Sequence, residues 1–265
     1  MTIISFHSYR GGTGKSTLIA NVAALLALKG MRVGLVDLDL ISPGLGVIFN
    51  VPTRCKACKI NNLLLGGGNL IDAVIDVTPS PNEIKGFNPA LNGLSSRGKL
   101  YLIPASFESE DIFRLIKSGY SAKDCVDIIQ KFKEFLNLDL LFIDTHPGFE
   151  EDTLLALAST DLLTIVLRAD LQDYMGVKIA VNIGRRLGKN VCLLLNMVPS
   201  RILEVSSFVE EVKKTFEVPV IGIIPFYEEV LASMGRGLFV VNNSSHSFTS
   251  FINKISNYFA YLASR

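Results

Sequence analysis

The chain has 265 residues, 49% of them apolar, with 26 Lys and Arg against 25 Asp and Glu. That length and composition allow one large core in a single α/β domain spanning 1–265, while a formal charge of +1 excludes global steering towards nucleic acid or acidic membranes. Four cysteines make no disulfide framework at this length, the N-terminus lacks the pattern of a signal peptide, and no apolar run approaches the roughly 20 residues of a membrane span. The expectation is a soluble protein of the reducing cytoplasm.

The first apolar run, Ile3–Phe6, reads as a strand. It leads into Tyr9-Arg10-Gly11-Gly12-Thr13-Gly14-Lys15-Ser16-Thr17, and a helix is predicted over Lys15–Lys29, stopped by Gly30. A strand, a glycine-rich turn and a helix N-terminus in that order form the context of a phosphate loop. Glycines let backbone N–H groups turn inward around phosphate oxygens, and the helix start adds partial positive charge. Lys15 is expected to reach the β- and γ-phosphates of a nucleotide, and the Ser16 hydroxyl to ligate magnesium. Gly14-Lys15-Ser16 fits the common G-x-x-x-x-G-K-[ST] template, but Tyr9 stands at its first glycine, so the motif is a variant: a basic residue, then Gly-Gly-x-Gly-Lys-Ser.

The next strand, Arg32–Asp37, opens into Asp37-Leu38-Asp39 and then Ser42-Pro43-Gly44. Residues two apart in an extended segment point to the same side, which pairs the two carboxylates; the alternative is turn or cap chemistry. Cys55-Lys56-Ala57-Cys58 follows, half of a zinc site at most. Thr78–Lys99, rich in Pro, Gly, Asn and Ser, reads as an irregular surface excursion.

Strands are then predicted at Lys99–Ala105, Asp139–Thr145, Leu162–Arg168, Asn190–Asn196 and Pro219–Pro225. Helices are predicted at Ala122–Leu136, Glu151–Ser159, Gln172–Leu187, Ile202–Phe216 and Phe248–Leu262. Strands apolar at consecutive positions are buried on both faces, and their alternation with helices predicts a doubly wound, mostly parallel sheet with helices on both faces. In such sheets ligands bind beyond the carboxyl ends of the strands. Leu140-Leu141-Phe142-Ile143-Asp144 is an apolar strand ending in an acid, the Walker B pattern that supports a magnesium shell, with a turn cap as the alternative for Asp144. Asn196-Met197-Val198-Pro199 speaks against guanine, because an N-K-x-D reader needs an acid where Pro199 stands.

The loop variant, with the later motifs, resembles the deviant Walker A motif of the ParA/MinD family of P-loop ATPases, which also contains the nitrogenase iron protein. The resemblance runs from Thr2 to about Val240. It implies a P-loop NTPase fold, ATP or ADP and magnesium as ligands, and a nucleotide-dependent sandwich homodimer. It further implies that Arg10, where the family carries lysine, reaches across that dimer. Asp39 would orient the attacking water, Asp37 would support magnesium, and Gly148 would sense the γ-phosphate. Asn196 would read the base, with Pro225-Phe226-Tyr227 lining the adenine pocket; on its residues alone, Asn196 is equally a strand-end turn former.

The remaining features bear on cargo. His146 is expected to be a loop residue with local hydrogen bonds, or one that touches nucleotide or partner. Lys178, Arg185 and Lys189 share a helical face with Arg186 beside them, either a solvated face or a non-specific DNA patch. The last helix carries Phe248, Phe251, Ile252, Ile255, Tyr258, Phe259 and Leu262 on one side but only Lys254 and Arg265 as basic residues, so core packing is expected and a membrane anchor is not. The reading is an ATPase switch that positions DNA or a protein assembly, stimulated by an unidentified protein partner. A metal or iron–sulfur carrier resting on Cys55 and Cys58, and a small-molecule kinase, are the alternatives.

Overall fold

The computed structural model describes residues 2–52, 59–80, 98–149, 151–203 and 208–264. Eight strands form one sheet: β1 (Thr2–His7), β2 (Arg32–Leu38), β3 (Ile75–Asp76), β4 (Lys99–Ile103), β5 (Leu140–Thr145), β6 (Leu162–Leu167), β7 (Asn190–Val198) and β8 (Val220–Pro225). Their order is β3-β4-β2-β5-β1-β6-β7-β8, and every pair is parallel except β3 with β4. The expected α/β class and P-loop NTPase architecture are present.

Continuous apolar strands in the sequence are explained by packing on both sides. In β5, Leu140 and Phe142 join the core on one face, while Leu141 and Ile143 join that on the other. The Lys15–Leu28 helix is apolar nearly all round because it is enclosed by the sheet, by the Ser247–Ala263 helix that packs on the same sheet face, and by the short Phe239–Asn242 helix. Phe259 of that last helix packs edge-on against Phe6 and Phe142, with centroids 5.7 and 5.4 Å away. The expected core role of the C-terminal helix is therefore what its aromatic stripe performs, and among the described residues no helix is long and apolar enough to cross a membrane. On the opposite face lie the helices Ala122–Phe135, Leu171–Arg186 and Phe208–Phe216.

Several local expectations change. The helix expected over Ile202–Phe216 is described as Ser200–Leu203 and Phe208–Phe216, with 204–207 outside the described residues. β7 runs two residues past Asn196, to Val198, with an irregularity in its pairing to β8 and Met197 at φ 55°. β3 and the helices Leu45–Ile48, Ile60–Leu64, Leu70–Ala73 and Ser109–Ser118 lay in stretches without a clear period. Cys55, Cys58 and residues 81–97 of the excursion lie outside the described residues.

Candidate nucleotide site

The sheet order places the glycine loop where polar side chains converge. β1 sits between β5 and β6, and β5 sits between β1 and β2, so the loop after β1 opens beside the carboxylates that end β5 and β2. Phe6 pairs with Asp144, and Asp37 pairs with Asp144 across the next ladder. Parallel register thus sets Asp37 beside Asp144, and the loop after β1 brings Lys15 to them.

The loop is held from both ends. Ser8 Oγ donates to the Arg10 carbonyl at 2.9 Å, and Gly148 N donates to the Ser8 carbonyl at 3.1 Å, which ties the segment after β5 to the loop. Gly12 and Gly14 turn through φ 77° and 79°. Gly14 caps the Lys15–Leu28 helix in the left-handed conformation with no side-chain cap, so the first N–H groups of the helix, those of Lys15, Ser16 and Thr17, are left for a ligand. Asn196 Nδ2 donates to the Thr13 carbonyl at 2.8 Å and packs so closely on Gly14 that a Cβ there would lie 2.5 Å from it. That contact requires glycine. Gly11 has only Pro147 within reach of a Cβ.

Lys15 and Asp144 form a buried ion pair, Nζ to Oδ1 at 2.8 Å. Asp144 Oδ2 is buried without a hydrogen-bond partner. Asp37 is fully enclosed; its Oδ1 accepts from Asp39 N at 3.1 Å and its Oδ2 from Gly44 N and Leu45 N at 3.2 and 3.1 Å. Burial, reinforced by the Asp144 and Asp39 carboxylates, drives the Asp37 pKa well above the ordinary range despite those N–H bonds. Gly44 also abuts Ser16: a Cβ there would lie 2.8 Å from the Ser16 hydroxyl oxygen. Ser16 and Asp37 thus meet at Gly44, and Asp144, whose Oδ1 is held by Lys15, keeps an unpartnered Oδ2 at the end of the neighbouring strand. Hard oxygen donors with an orphaned carboxylate oxygen fit a magnesium ion.

Asp39 Oδ1 accepts from Ser42 N at 3.1 Å, Ser42 Oγ at 3.0 Å and His146 Nδ1 at 2.8 Å. His7, at the end of β1, is buried; Nδ1 meets Thr145 Oγ1 at 3.0 Å and Nε2 has no partner. Burial, with help from the Lys15 and His146 charges, pushes its pKa down to about 3, so its imidazole is neutral.

Arg10 differs from Lys15. Its side chain is 41% exposed, with a loose 3.7 Å ion pair to Asp170 at the start of the Leu171–Arg186 helix. Tyr9 lies on the same helix at Gly176, where a Cβ would collide with its ring.

Beside the loop is a cavity of about 160 Å³ lined by Gly14, Thr17, Asn196, Met197, Pro225, Phe226, Tyr227 and Met234, among others. Asn196, Pro225, Phe226 and Tyr227, which the resemblance assigned to a base, all line this one cavity. Sequence reasoning missed Met197, Leu231 and Met234, which come from a strand irregularity and from the Glu228–Ala232 helix and the turn after it. The turn and cap chemistry weighed for Asp37 and Asp39 is present: Ser42 N and Oγ donate to Asp39 Oδ1, and Gly44 N and Leu45 N donate to Asp37 Oδ2. Of the basic face, Arg185 Nη2 donates to the Phe216 and Glu217 carbonyls at 3.2 and 3.0 Å, so that guanidinium serves the fold.

Comparison with known proteins agrees with this geometry. The chain is 28% identical over 228 residues to an uncharacterized ATP-binding protein of Methanocaldococcus jannaschii, covering 84% of this chain and 73% of that one. It is 23% identical over 258 residues to the septum site-determining protein MinD of Thermotoga maritima, covering 95% and 85%. Its fold matches the MinC:MinD cell division protein complex of Aquifex aeolicus with a TM-score of 0.78 at 19% identity over 98% and 96% of the chains. It also matches MinD complexed with Mg-ADP from Pyrococcus horikoshii, with a TM-score of 0.76 at 20% identity over 99% and 97%. Residues 4–240 match the CobQ/CobB/MinD/ParA nucleotide binding domain, and the chain belongs to that family of P-loop ATPases.

Proposed function

We propose that this chain is an ATP-binding and ATP-hydrolysing switch. It binds ATP with magnesium at Gly11–Thr17, closes into a two-fold sandwich dimer, and is released by hydrolysis. The observation that carries this reading is the contrast between its two phosphate-directed cations. Lys15 is buried on Asp144 inside the site, whereas Arg10, five residues earlier on the same loop, is held outward by a single loose pair. An outward cation at the lip of a phosphate loop suits phosphates presented by a second copy of the chain.

Lys15 moves its ammonium from Asp144 to the β- and γ-phosphates, and the free N–H groups at the start of the Lys15–Leu28 helix bind their oxygens. Asn196 and the cavity beside it take the adenine. Ser16, Asp37 and Asp144 would hold magnesium, which would supply positive charge to offset that of the phosphates. Asp39 orients the water, Gly148 reports the γ-phosphate through its tie to Ser8, and Arg10 stabilises the charge developing across the dimer. The related MinC:MinD complex supports a protein partner, and the magnesium and ADP bound to the Pyrococcus horikoshii protein support the ligands. The dimer positions a cargo, either DNA or a protein assembly.

The test is the solution mass with ADP and with ATP plus magnesium, for the wild type and for Asp39→Ala. A dimer specific to ATP that persists in Asp39→Ala is expected. A monomer in every state refutes the switch.

A further inference from the structure

We propose that His146 is a positioning residue for ATP hydrolysis, holding the Asp39 carboxylate so that one oxygen is left for the attacking water. The inference rests on the proposed role of Asp39.

The juxtaposition follows from the sheet. Leu38 and Thr145 are partners in the parallel ladder between β2 and β5, so the next residues, Asp39 and His146, leave the sheet side by side. The hydrogen bond between them, at 2.8 Å, is the shortest of those on Asp39. A carboxylate only accepts, so the proton lies on Nδ1 of the imidazole. Among the described residues all three donors fall on Oδ1. Oδ2 is therefore the oxygen available to accept from a water.

The three donors are not equivalent. Both Ser42 groups belong to the same loop as Asp39 and travel with it. His146 alone ties Asp39 to the segment leaving β5, which carries Asp144 on one side and Gly148 on the other. Through that bond the carboxylate is fixed relative to the phosphate loop, because Gly148 N is itself bonded to Ser8. In the reaction the water oxygen bonds to the γ-phosphorus, the bond from phosphorus to the ADP oxygen breaks, and the water proton leaves with inorganic phosphate. His146 neither gives nor takes a proton; it sets the angle from which Asp39 holds the water, and misplacement of such a group lowers rate without weakening binding.

The experiment is single-turnover hydrolysis of ATP with magnesium, with nucleotide affinity measured alongside, on wild type, Asp39→Ala, His146→Ala, His146→Asn, His146→Gln and the Asp39→Ala/His146→Ala double variant. His146→Ala is expected to lower the rate about tenfold with affinity changed less than about twofold. The Asn amide nitrogen takes the place of Nδ1 and that of Gln the place of Nε2, so His146→Asn recovers most of the rate and His146→Gln does not. The double variant is no slower than Asp39→Ala, because both act on one water. A wild-type rate in His146→Ala, equal rates in the Asn and Gln variants, or a double variant slower than Asp39→Ala overturns the proposal. If His146→Ala does not fold, the Asn and Gln pair decides alone. A wild-type rate in Asp39→Ala, or no turnover by the wild type, removes the Asp39 reading itself and this proposal with it. Loss of turnover in Asp39→Ala alone leaves that reading standing and removes only the role of His146.

Discussion

Gly12 and Gly14 share a backbone conformation but not an environment, and that difference predicts unequal consequences for the same substitution. Both have φ near the left-handed region, 77° and 79°. Placing alanine there costs about 1–2 kcal/mol at either position. A Cβ on Gly12 meets nothing within 4 Å, whereas one on Gly14 would lie 2.5 Å from Asn196 Nδ2 and 3.1 Å from Met197 Cε. Gly14→Ala must therefore move Asn196 off the Thr13 carbonyl, which it now reaches at 2.8 Å. An enclosed carbonyl left unpaired adds about 1–3 kcal/mol. Gly12→Ala is expected to destabilise by about 1–2 kcal/mol and Gly14→Ala by about 2–5 kcal/mol. Urea unfolding of both variants, repeated in an Asn196→Ala background, separates the terms. Once Asn196 is truncated, the excess of Gly14→Ala over Gly12→Ala should shrink by at least about 1 kcal/mol. Equal destabilisation by the two alanines, or strict additivity with Asn196→Ala, refutes the reasoning.

The neutral, buried His7 predicts acid sensitivity. Its pKa is lowered from 6.5 to about 3, so an unfolded His7 takes up a proton below about pH 6.5 while the native one does not. Its contribution is thus intact above that pH and is lost as pH falls towards 3, amounting to about 2 kcal/mol near pH 5. His7→Asn, compared with wild type by urea unfolding at neutral pH and near pH 5, should lose less stability on acidification; equal losses would place the sensitivity elsewhere. Arg10→Ala should abolish the ATP-dependent dimer while leaving monomer ADP affinity within about twofold and stability within about 0.5 kcal/mol, because its exposed pair with Asp170 is loose. Analytical ultracentrifugation with calorimetry checks both halves. Lys15→Ala should lose nucleotide binding and destabilise the fold by about 3 kcal/mol, since it strands the Asp144 charge in a closed site. Lys15→Ala/Asp144→Asn should unfold later than Lys15→Ala, and a double variant that is less stable contradicts that account.

Much of the fold was legible because its strands are buried on both faces. A run such as Leu140–Ile143 declares its burial without any partner being known, and its terminal acid declares which end faces the ligand. The phosphate loop was legible because backbone geometry dictates its glycines. What escaped was set by contacts remote in sequence. Short helices such as Leu45–Ile48 and Ile60–Leu64 hold too few turns to show a period. Met197 and Met234 enter the cavity beside Gly14 and Asn196 through a strand irregularity and a turn that nothing nearby announces. What the sequence did not show is the resting partner of each loop cation, Asp144 for Lys15 and Asp170 for Arg10, since both acids lie far along the chain.

The charges of the site explain why nucleotide and divalent cation should arrive together. Asp37, Asp39 and Asp144 crowd the ends of two neighbouring strands, and Lys15 is the ammonium paired among them. Burial first, and then the neighbouring Asp144 and Asp39 carboxylates, raise the Asp37 pKa. Phosphates that draw Lys15 off Asp144 would bring more negative charge into the same space and leave both Asp144 oxygens without a cation. Nucleotide alone therefore binds against rising repulsion, and a cation alone meets a carboxylate already held by Lys15. Bound together, each removes the obstacle to the other, and by linkage the gain in affinity is the same in both directions. If the proposed function holds, the buried Lys15–Asp144 pair would be the resting state of the switch, and Lys15 would pass to the phosphates only when a cation meets the charge it leaves on Asp144.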